Sequence, residues 1–562
     1  MGDTLTGASA ASRELSTAAY DPSIDSSTTT EAKGDHMPEN AGFATINLAA
    51  ILAETAKRSP ESTALIFGAD RIGYGRLWEE TKRYAGALRD LGVGRGDRVA
   101  LLLPNVPDFP RAYFAILSLG AIVVPVHALL KAEEIAYVLQ DSGASQFIVA
   151  APLLAEGAKG AALAKVPLLS VLVPDDKLAE APFPRLEDLA EGADPVRHYE
   201  FLPPTATATI LYTSGTTGKP KGARGSHFSL VEHVNTLLTG AIDVQEEDIV
   251  LGCLPLFHTF GQMCVMNVAF RRGASVVLVP KFDGATALAL LNAHSCTIMT
   301  GVPTMYIGLL EAAKANPERP PLRYGLSGGA ALPVAVIGRM SEEFGISVHE
   351  GYGLTETSPV ATFNHYGRPT RPGTIGQPIW GTEVIIADAE LDDRIVELPR
   401  GELGEICVRG HNVFQGYLNR PDADAEAVVD GWFRTGDLGT MTDDDYVTIV
   451  DRKKDMIVRN GYNVYPREVE EVLARHDAVS GCAVFGVPDP VHQQEVVAAV
   501  TLMPGASADP AELIEYVKEK VAPFKYPRHI EIVDTLPLGP SGKVLKRVLV
   551  AKWQEDHVHA TM

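Results

Sequence analysis

Apolar β-like runs alternate with segments of helical spacing from Asn47 onward, and this alternation restricts the fold more than any other feature. The segment Leu77–Leu91 has helical spacing, a glycine-rich turn follows, and the run Val99–Pro104 is typical of a buried strand. The order repeats, with predicted helices near Ala112–Leu119 and at Lys131–Leu139 and predicted strands near Ala121–Val126 and at Gln146–Ala150, Ile249–Leu254, Ser275–Pro280 and His294–Thr300. Such alternation indicates an α/β fold with parallel-type sheets.

The length of 562 residues is too great for one hydrophobic core. Residues 1–42 carry almost no large apolar side chains, so we predict a disordered tail. Residues 43–453 form the predicted N-terminal domain, in which short β-like runs between turns indicate a β-rich subdomain at about 375–450. We predict a small mobile α+β domain over 454–562, with helices at Pro466–His476 and Pro510–Lys520 and strands at Ser480–Gly486 and His529–Val533.

Composition excludes several function classes. The formal net charge of −22 argues against nucleic-acid binding, which depends on Lys and Arg contacts to phosphates. Five scattered cysteines without a CxxC pair argue against a zinc cluster or a disulfide scaffold and favour a reducing cytoplasm. The uncharged stretches Ala112–Leu130 and Ile249–Phe270 approach a membrane-spanning length, but proline and histidine interrupt both. We therefore predict a cytoplasmic protein without a membrane span, and the N-terminus has no secretory pattern.

The segment Ala206–Gly222, ATATILYTSGTTGKPKG, is the most informative in the chain. An apolar run ends in a loop whose glycines allow close backbone approach to a ligand and whose amide groups can surround an anion. Hydroxyl and ammonium groups add donors for phosphate oxygens. The predicted phosphate-binding residues are Thr213, Ser214, Gly215, Thr216, Thr217, Gly218, Lys219 and Lys221. Pro220 after Lys219 and the short glycine spacing distinguish the loop from a Walker A motif.

YTSGTTGKPKG resembles the phosphate loop of the adenylate-forming superfamily, which includes acyl- and aryl-CoA synthetases, peptide-synthetase adenylation domains and luciferase. Gly351–Thr357, GYGLTET, matches a second family motif. The resemblance implies that Tyr352 packs on adenine, that Thr355 contacts the α-phosphate, and that Glu356 with Thr213 holds Mg²⁺. Hard cations prefer such oxygen ligands.

Two further matches of this resemblance concern the nucleoside. The small residues of Ser327–Pro333 match the adenine-side loop, with Gly328, Gly329 and Ala330 against the base. Asp437 in RTGD and Arg452, fifteen residues later, match the ribose clamp. A carboxylate there would accept hydrogen bonds from the two ribose hydroxyls, and a guanidinium would supply donors beside it.

The resemblance also assigns catalytic and mobile residues. His258 in LFHTFG would lie near the substrate carboxylate and the phosphate, and Lys543 in GPSGK would contact the same groups. Lys454 matches the hinge about which the C-terminal domain of the family rotates between two half-reactions. The loop containing Arg459, Asn460, Gly461 and Tyr462 would then face the thiol channel; Asn460 departs from the glycine of many relatives.

The whole resemblance is closest to fatty acyl-CoA ligases. It implies ATP-dependent activation of a carboxylic acid to an acyl-adenylate, followed by transfer to the thiol of CoA. Three alternatives are an acyl-AMP ligase that loads the phosphopantetheine of an acyl carrier protein, a luciferase-type oxidising enzyme, and an inactive nucleotide-binding protein. Apolar residues near His258, including Phe260, Met263 and Met305, favour a fatty or other hydrophobic monocarboxylate, although these residues are equally compatible with ordinary core packing.

Overall fold

The computed structural model describes residues 44–180, 182–213, 219–503, 505–538 and 544–558. The predicted tail over 1–42 therefore lies outside the described residues. Residues from Ala44 onward belong to one compact unit. Its helices are Ala50–Arg58, Tyr74–Asp90, Asp108–Ser118, Ala132–Ser142, Leu154–Ala164, Leu186–Gly192, His227–Thr236, Thr259–Gly261, Val268–Arg272, Gly284–Ala293, Pro303–Ala315, Val334–Phe344, Pro421–Ala427, Pro466–Leu473, Pro510–Lys518 and Lys546–Val558.

Two large sheets confirm the predicted parallel α/β class. The first has six strands in the spatial order Leu168–Val171, Gln146–Ala150, Arg98–Leu102, Ile122–Pro125, Thr207–Thr213 and Lys221–Ser226; only the last pair is antiparallel. The second has nine strands, in the order Gln377–Pro378, Val360–Phe363, Val348–Gly353, Tyr324–Ser327, Ile298–Gly301, Ile249–Gly252, Ser275–Leu278, Thr63–Phe67 and Asp70–Gly73. The six consecutive strands from Val348–Gly353 to Thr63–Phe67 run parallel, so their carboxyl ends meet at one edge.

Two five-stranded sheets follow along the chain. The first is antiparallel and contains Thr382–Ala387, Gly404–Gly410, Val428–Val429, Trp432–Met441 and Val447–Arg452. The second contains Ile457–Arg459, Tyr462–Val464, Val479–Asp489, Gln493–Leu502 and His529–Ile532. The chain passes from one sheet to the other through the turn that contains Lys454. The fold class is thus confirmed, whereas the exact domain limits and the mobility remain predictions.

The uncharged stretches considered as membrane spans divide into short elements. Ala112–Leu130 spans part of the helix Asp108–Ser118 and the strand Ile122–Pro125, and most of their side chains are buried in the main core. Ile249–Phe270 begins with a strand and continues through the π-helical turn Gln262–Asn267. Within the described ranges, no helix has the length and apolar character needed to cross a membrane.

Two elements of the C-terminal region are among those that the sequence did not predict. The strand Gln493–Leu502 is central to the last sheet, where it pairs with Ile457–Arg459, Val479–Asp489 and His529–Ile532. Its run VVAAV has no alternation of apolar and polar residues, because both faces of the strand are buried. The helix Lys546–Val558 was also not predicted.

Two buried histidines determine part of the pH dependence of stability. Burial lowers the pKa of His227 to about 4 and, together with nearby His411, that of His233 to about 3, from an ordinary value of 6.5. Between pH 6.5 and these values the unfolded chain binds protons that the native chain does not. Stability is therefore lost as the pH falls through this window, by roughly 3 kcal/mol for His227.

We expect His227→Asn to flatten this loss. The Nδ1 atom of His227 accepts a hydrogen bond from the Leu48 amide at 3.0 Å, and an asparagine oxygen can replace that acceptor without titrating. Urea unfolding at pH 7 and pH 5 measures the slope in wild type and variant. Burial raises the pKa of Glu350 to about 7, so protonation of this carboxyl group stabilises the native state as the pH falls. This contribution is the same in wild type and variant, and it cancels when their two slopes are compared. His198→Asn, at an exposed site, serves as the control; an unchanged slope in His227→Asn contradicts the prediction.

Candidate active site

Two antiparallel strands lead into and out of the predicted phosphate loop. Thr213 ends one strand and pairs in register with Lys221, which begins the other. The Nζ atom of Lys221 lies 4.9 Å from the centre of the Tyr417 ring, and that of Lys219 lies 5.2 Å from the centre of the Tyr137 ring. These cation–π contacts hold both ammonium groups at the base of the loop. The loop predictions Ser214, Gly215, Thr216, Thr217 and Gly218 lie outside the described residues.

The GYGLTET motif places a buried carboxylate near this loop base. The strand Val348–Gly353 ends, and a 3₁₀ turn over Thr355–Thr357 follows. The Thr357 hydroxyl accepts a hydrogen bond from the Leu354 amide at 2.8 Å and fixes this turn. Glu356 is only 6% exposed, and its Oε1 atom accepts a hydrogen bond of 2.8 Å from the Tyr417 hydroxyl. Tyr417 therefore contacts both predicted groups, Glu356 and Lys221.

The predicted nucleoside residues form a second cluster. The Tyr352 hydroxyl donates a 2.6 Å hydrogen bond to Oδ2 of Asp437, and the Arg452 Nε atom lies 3.2 Å from Oδ1 of the same carboxylate. Asp437 and Arg452 face each other on adjacent antiparallel strands, which explains why they are close although they lie fifteen positions apart in the chain. Burial and the neighbouring carboxylate raise the pKa of Tyr352 well above its ordinary value, so its hydroxyl remains a donor.

The adenine-side loop begins where a parallel strand ends. Gly328, Gly329 and Ala330 follow Tyr324–Ser327 at the carboxyl edge of the large sheet, the edge where ligands bind in open α/β folds. A Cβ atom on Gly328 would lie 3.1 Å from Cζ of Phe260. A side chain at this position would push the phenyl ring away by a few tenths of an ångström, so glycine lets the ring lie close to the backbone. The contact joins the loop to the LFHTFG segment.

His258 begins the short helix Thr259–Gly261. Its Nδ1 atom accepts a hydrogen bond from the Phe260 amide at 3.2 Å, so the imidazole caps this helix. Phe260 and Met305 are half-buried and pack on the core, whereas Met263 is fully buried within it. The Sδ atom of Met305 lies 3.8 Å from Sγ of Cys253. Phe260 and Met305 are thus only partly covered by the core, whereas the contacts of Met263 are those of a core residue.

The predicted thiol-channel residues lie in a separate hairpin. Arg459 makes a buried bidentate ion pair with Glu495, at 2.7 and 3.0 Å. Asn460 and Gly461 have φ values of 53° and 78°, and asparagine tolerates this left-handed region better than most other residues, so the departure from glycine preserves the turn. Tyr462 is 57% exposed and stacks on Phe524 at 4.7 Å.

These contacts divide the predicted site residues into groups. Glu356 and Lys221 share Tyr417 as a neighbour, and Tyr352, Asp437 and Arg452 form one hydrogen-bonded cluster. Among the described residues, Arg459 contacts Glu495 of the C-terminal sheet, and Tyr462 contacts Phe524 in the loop before the last strand of that sheet. Lys454 lies in the turn between the last two sheets, and Lys543 falls outside the described residues. Tyr417 was not among the predicted site residues; its local signal in the chain is the run GYLNRP.

Comparison with known proteins identifies the class. The model of the AMP-binding enzyme family matches residues 52–418, and that of the AMP-binding enzyme C-terminal domain matches residues 468–543. The chain belongs to the AMP-binding enzyme family.

Similar proteins cover nearly the whole chain. It is 34% identical to the long-chain-fatty-acid–CoA ligase of Bacillus subtilis (strain 168) over 93% of this chain and 97% of that protein. It is 37% identical to a feruloyl-CoA synthase of an Amycolatopsis species over 87% and 96%, respectively. The crystal structure of ATP-bound MatB from Rhodopseudomonas palustris superposes with a TM-score of 0.83 at 32% identity and covers 92% of this chain and 100% of that one. The predicted superfamily is confirmed.

Proposed function

We propose that this protein is an AMP-forming acid–CoA ligase that activates a hydrophobic monocarboxylic acid. A carboxylate oxygen attacks the α-phosphorus of ATP, which yields an acyl-adenylate and pyrophosphate; a thiolate then attacks the acyl carbon and releases AMP. The observation that carries this proposal is the Tyr352–Asp437–Arg452 cluster, a hydrogen-bonding site suited to a nucleoside, in a chain of the AMP-binding enzyme family. CoA ligases among the relatives support the second step.

The chain's own residues would act mainly by positioning and electrostatics. Lys219 and Lys221 supply cations for the phosphates, Thr355 a hydroxyl for the α-phosphate, and Asp437 an acceptor for the ribose hydroxyls. We assign His258 to the neighbourhood of the substrate carboxylate. Its backbone position at the start of a helix places the Phe260 ring beside the adenine-side loop, so this short segment would contact both substrates.

Glu356 and Thr213 fit Mg²⁺ by the chemistry of their donors. A buried carboxylate and a hydroxyl are oxygen ligands of the kind that Mg²⁺ uses beside substrate phosphates. When bound, Mg²⁺ would neutralise charge on the phosphate oxygens. Thr213 would hold the ion close to Lys221, because Thr213 and Lys221 are paired across the two antiparallel strands.

The acid is inferred from the side chains near His258. Phe260 and Met305 are apolar and half-buried, and neither offers a charge for a second carboxylate or an ammonium group. The relatives include both a long-chain-fatty-acid–CoA ligase and a feruloyl-CoA synthase, so a hydrophobic body, aliphatic or aromatic, is the feature that the proposal requires. Burial of apolar substrate surface would supply most of the selectivity.

A panel of acids tests this proposal. Purified protein is mixed with ATP, Mg²⁺ and saturated fatty, aromatic, dicarboxylic or amino acids, and pyrophosphate release is recorded. We expect hydrophobic monocarboxylates to give the highest kcat/KM. CoA, a holo acyl carrier protein or no thiol is then added while AMP and oxygen are followed. AMP release that depends on CoA supports the proposal; preference for the carrier protein, oxygen consumption, or no pyrophosphate with any acid contradicts it.

A further inference from the structure

The segment Phe414–Leu418 lies between two parts of the candidate active site. On one side the Phe414 amide donates a 2.8 Å hydrogen bond to the carbonyl of Glu356. On the other side the Leu418 amide donates to the Gly222 carbonyl at 2.8 Å, and the Arg224 amide donates to the Gly416 carbonyl at 3.1 Å. Backbone hydrogen bonds thus fix this segment both to the Glu356 turn and to the strand that follows the phosphate loop.

Tyr417 is the side chain through which this segment contacts the charged groups. Its hydroxyl donates to Glu356 Oε1 at 2.8 Å, and its ring centre lies 4.9 Å from Nζ of Lys221. The Phe414 ring packs edge-on against the Tyr417 ring at 4.8 Å, and Tyr417 is only 9% exposed. The Phe414 ring therefore holds the Tyr417 ring from the side, while the Tyr417 hydroxyl contacts a carboxylate and the Tyr417 ring face contacts an ammonium group.

These contacts keep the two charges near each other without an ion pair. Among the residues that the structure describes, Lys221 has no carboxylate within ion-pair distance. Its ammonium group contacts the Tyr417 ring instead. A direct Lys221–Glu356 pair would occupy an ammonium group that the phosphates need and a carboxylate that the cation needs. The tyrosine between them donates a hydrogen bond from a neutral hydroxyl to one carboxylate oxygen. The ammonium group lies on the ring face, and its N–H groups can still donate to phosphate oxygens.

We propose that Tyr417 is a positioning residue that orients the Glu356 carboxylate toward Mg²⁺ and holds Lys221 toward the ATP phosphates. The proposal rests on the proposed function only as far as ATP and Mg²⁺ binding. It requires neither a particular acid nor a particular thiol.

The test measures binding in the absence of any acid. Isothermal calorimetry gives the Kd of ATP in a series from chelator to saturating Mg²⁺, for wild type and Tyr417→Phe. Phenylalanine keeps the ring but removes the hydroxyl, so we expect the half-saturating Mg²⁺ concentration to rise about tenfold, as for loss of a hydrogen bond to a charged group. The Kd of ATP in chelator should stay within about twofold, because the Lys221 contact is retained.

Two further variants separate positioning from packing. Tyr417→Leu also removes the ring and should weaken ATP binding in chelator as well. Tyr84→Phe is the matched control, because the Tyr84 hydroxyl donates to the buried Asp108 carboxylate at 2.7 Å in another part of the core. It should leave the Mg²⁺ requirement unchanged. The single variant Glu356→Gln is compared with the double variant Glu356→Gln/Tyr417→Phe. Because Tyr417 acts through the Glu356 carboxylate, both variants should require the same Mg²⁺ concentration.

The proposal is overturned if Tyr417→Phe has the wild-type Mg²⁺ requirement, if Tyr84→Phe shifts it equally, or if Tyr417→Phe fails to fold, since a positioning role leaves the fold intact. Absence of acid-dependent pyrophosphate release in the wild type, with the expected binding results, would instead contradict only the proposed function.

Discussion

Replacing Lys543 by alanine is expected to slow formation of the acyl-adenylate by about two to three orders of magnitude, a loss typical of removing one fixed group that stabilises charge in a transition state. The second half-reaction should be spared, because attack of a thiolate on a preformed adenylate needs no cation at the departing pyrophosphate. Acid-dependent exchange of pyrophosphate into ATP measures the first step. Reaction of synthetic acyl-adenylate with CoA measures the second.

Lys552→Ala is the control for this experiment, because it removes an exposed lysine from the helix Lys546–Val558 that follows the same loop. It should change neither half-reaction. Wild-type exchange in Lys543→Ala would show that the motif match assigns the wrong lysine, and equal loss of both steps would point to a general defect of the C-terminal domain.

Lys454→Pro is expected to have the converse effect. The turn of Lys454 joins the last two sheets, and no hydrogen bond donated by its amide is found among the described residues, so proline at this point would remove none of the hydrogen bonds found there. Proline fixes φ and would prevent the dihedral change that rotation about a hinge requires. Thioester formation should fall roughly 100-fold, while adenylation stays near the wild-type rate, because misplacement of the reacting groups affects only the second step.

Lys454→Ala provides the matched comparison, since it removes the same side chain and keeps the backbone free to rotate. Both half-reactions should then remain close to wild type. If alanine and proline impair thioester formation equally, the ammonium group rather than the backbone matters at this position. If proline leaves thioester formation intact, the hinge assignment is wrong.

The fold class was predictable because its signals are local. Arg98–Leu102, Ile122–Pro125 and Gln146–Ala150 are short apolar runs bounded by turns, and the helices between them show regular apolar spacing. The strand Gln493–Leu502 was not predicted because it lacks such a local signal. A strand that is buried on both faces has no periodic pattern that distinguishes it from a buried helix. Its identity depends on neighbours far away in the chain.

The amino-acid sequence establishes the α/β class and the chemical types of the site residues, because hydroxyl, glycine, lysine and carboxylate groups cluster in short motifs. Which of these motifs come into contact depends on how the chain packs. Tyr352 and Asp437 are 85 positions apart, and Glu356 and Tyr417 are 61 apart, yet each pair shares a hydrogen bond. Such contacts depend on strand register and sheet packing, which bring distant segments together and leave no local trace in the chain. The role of Tyr417 follows from that packing alone.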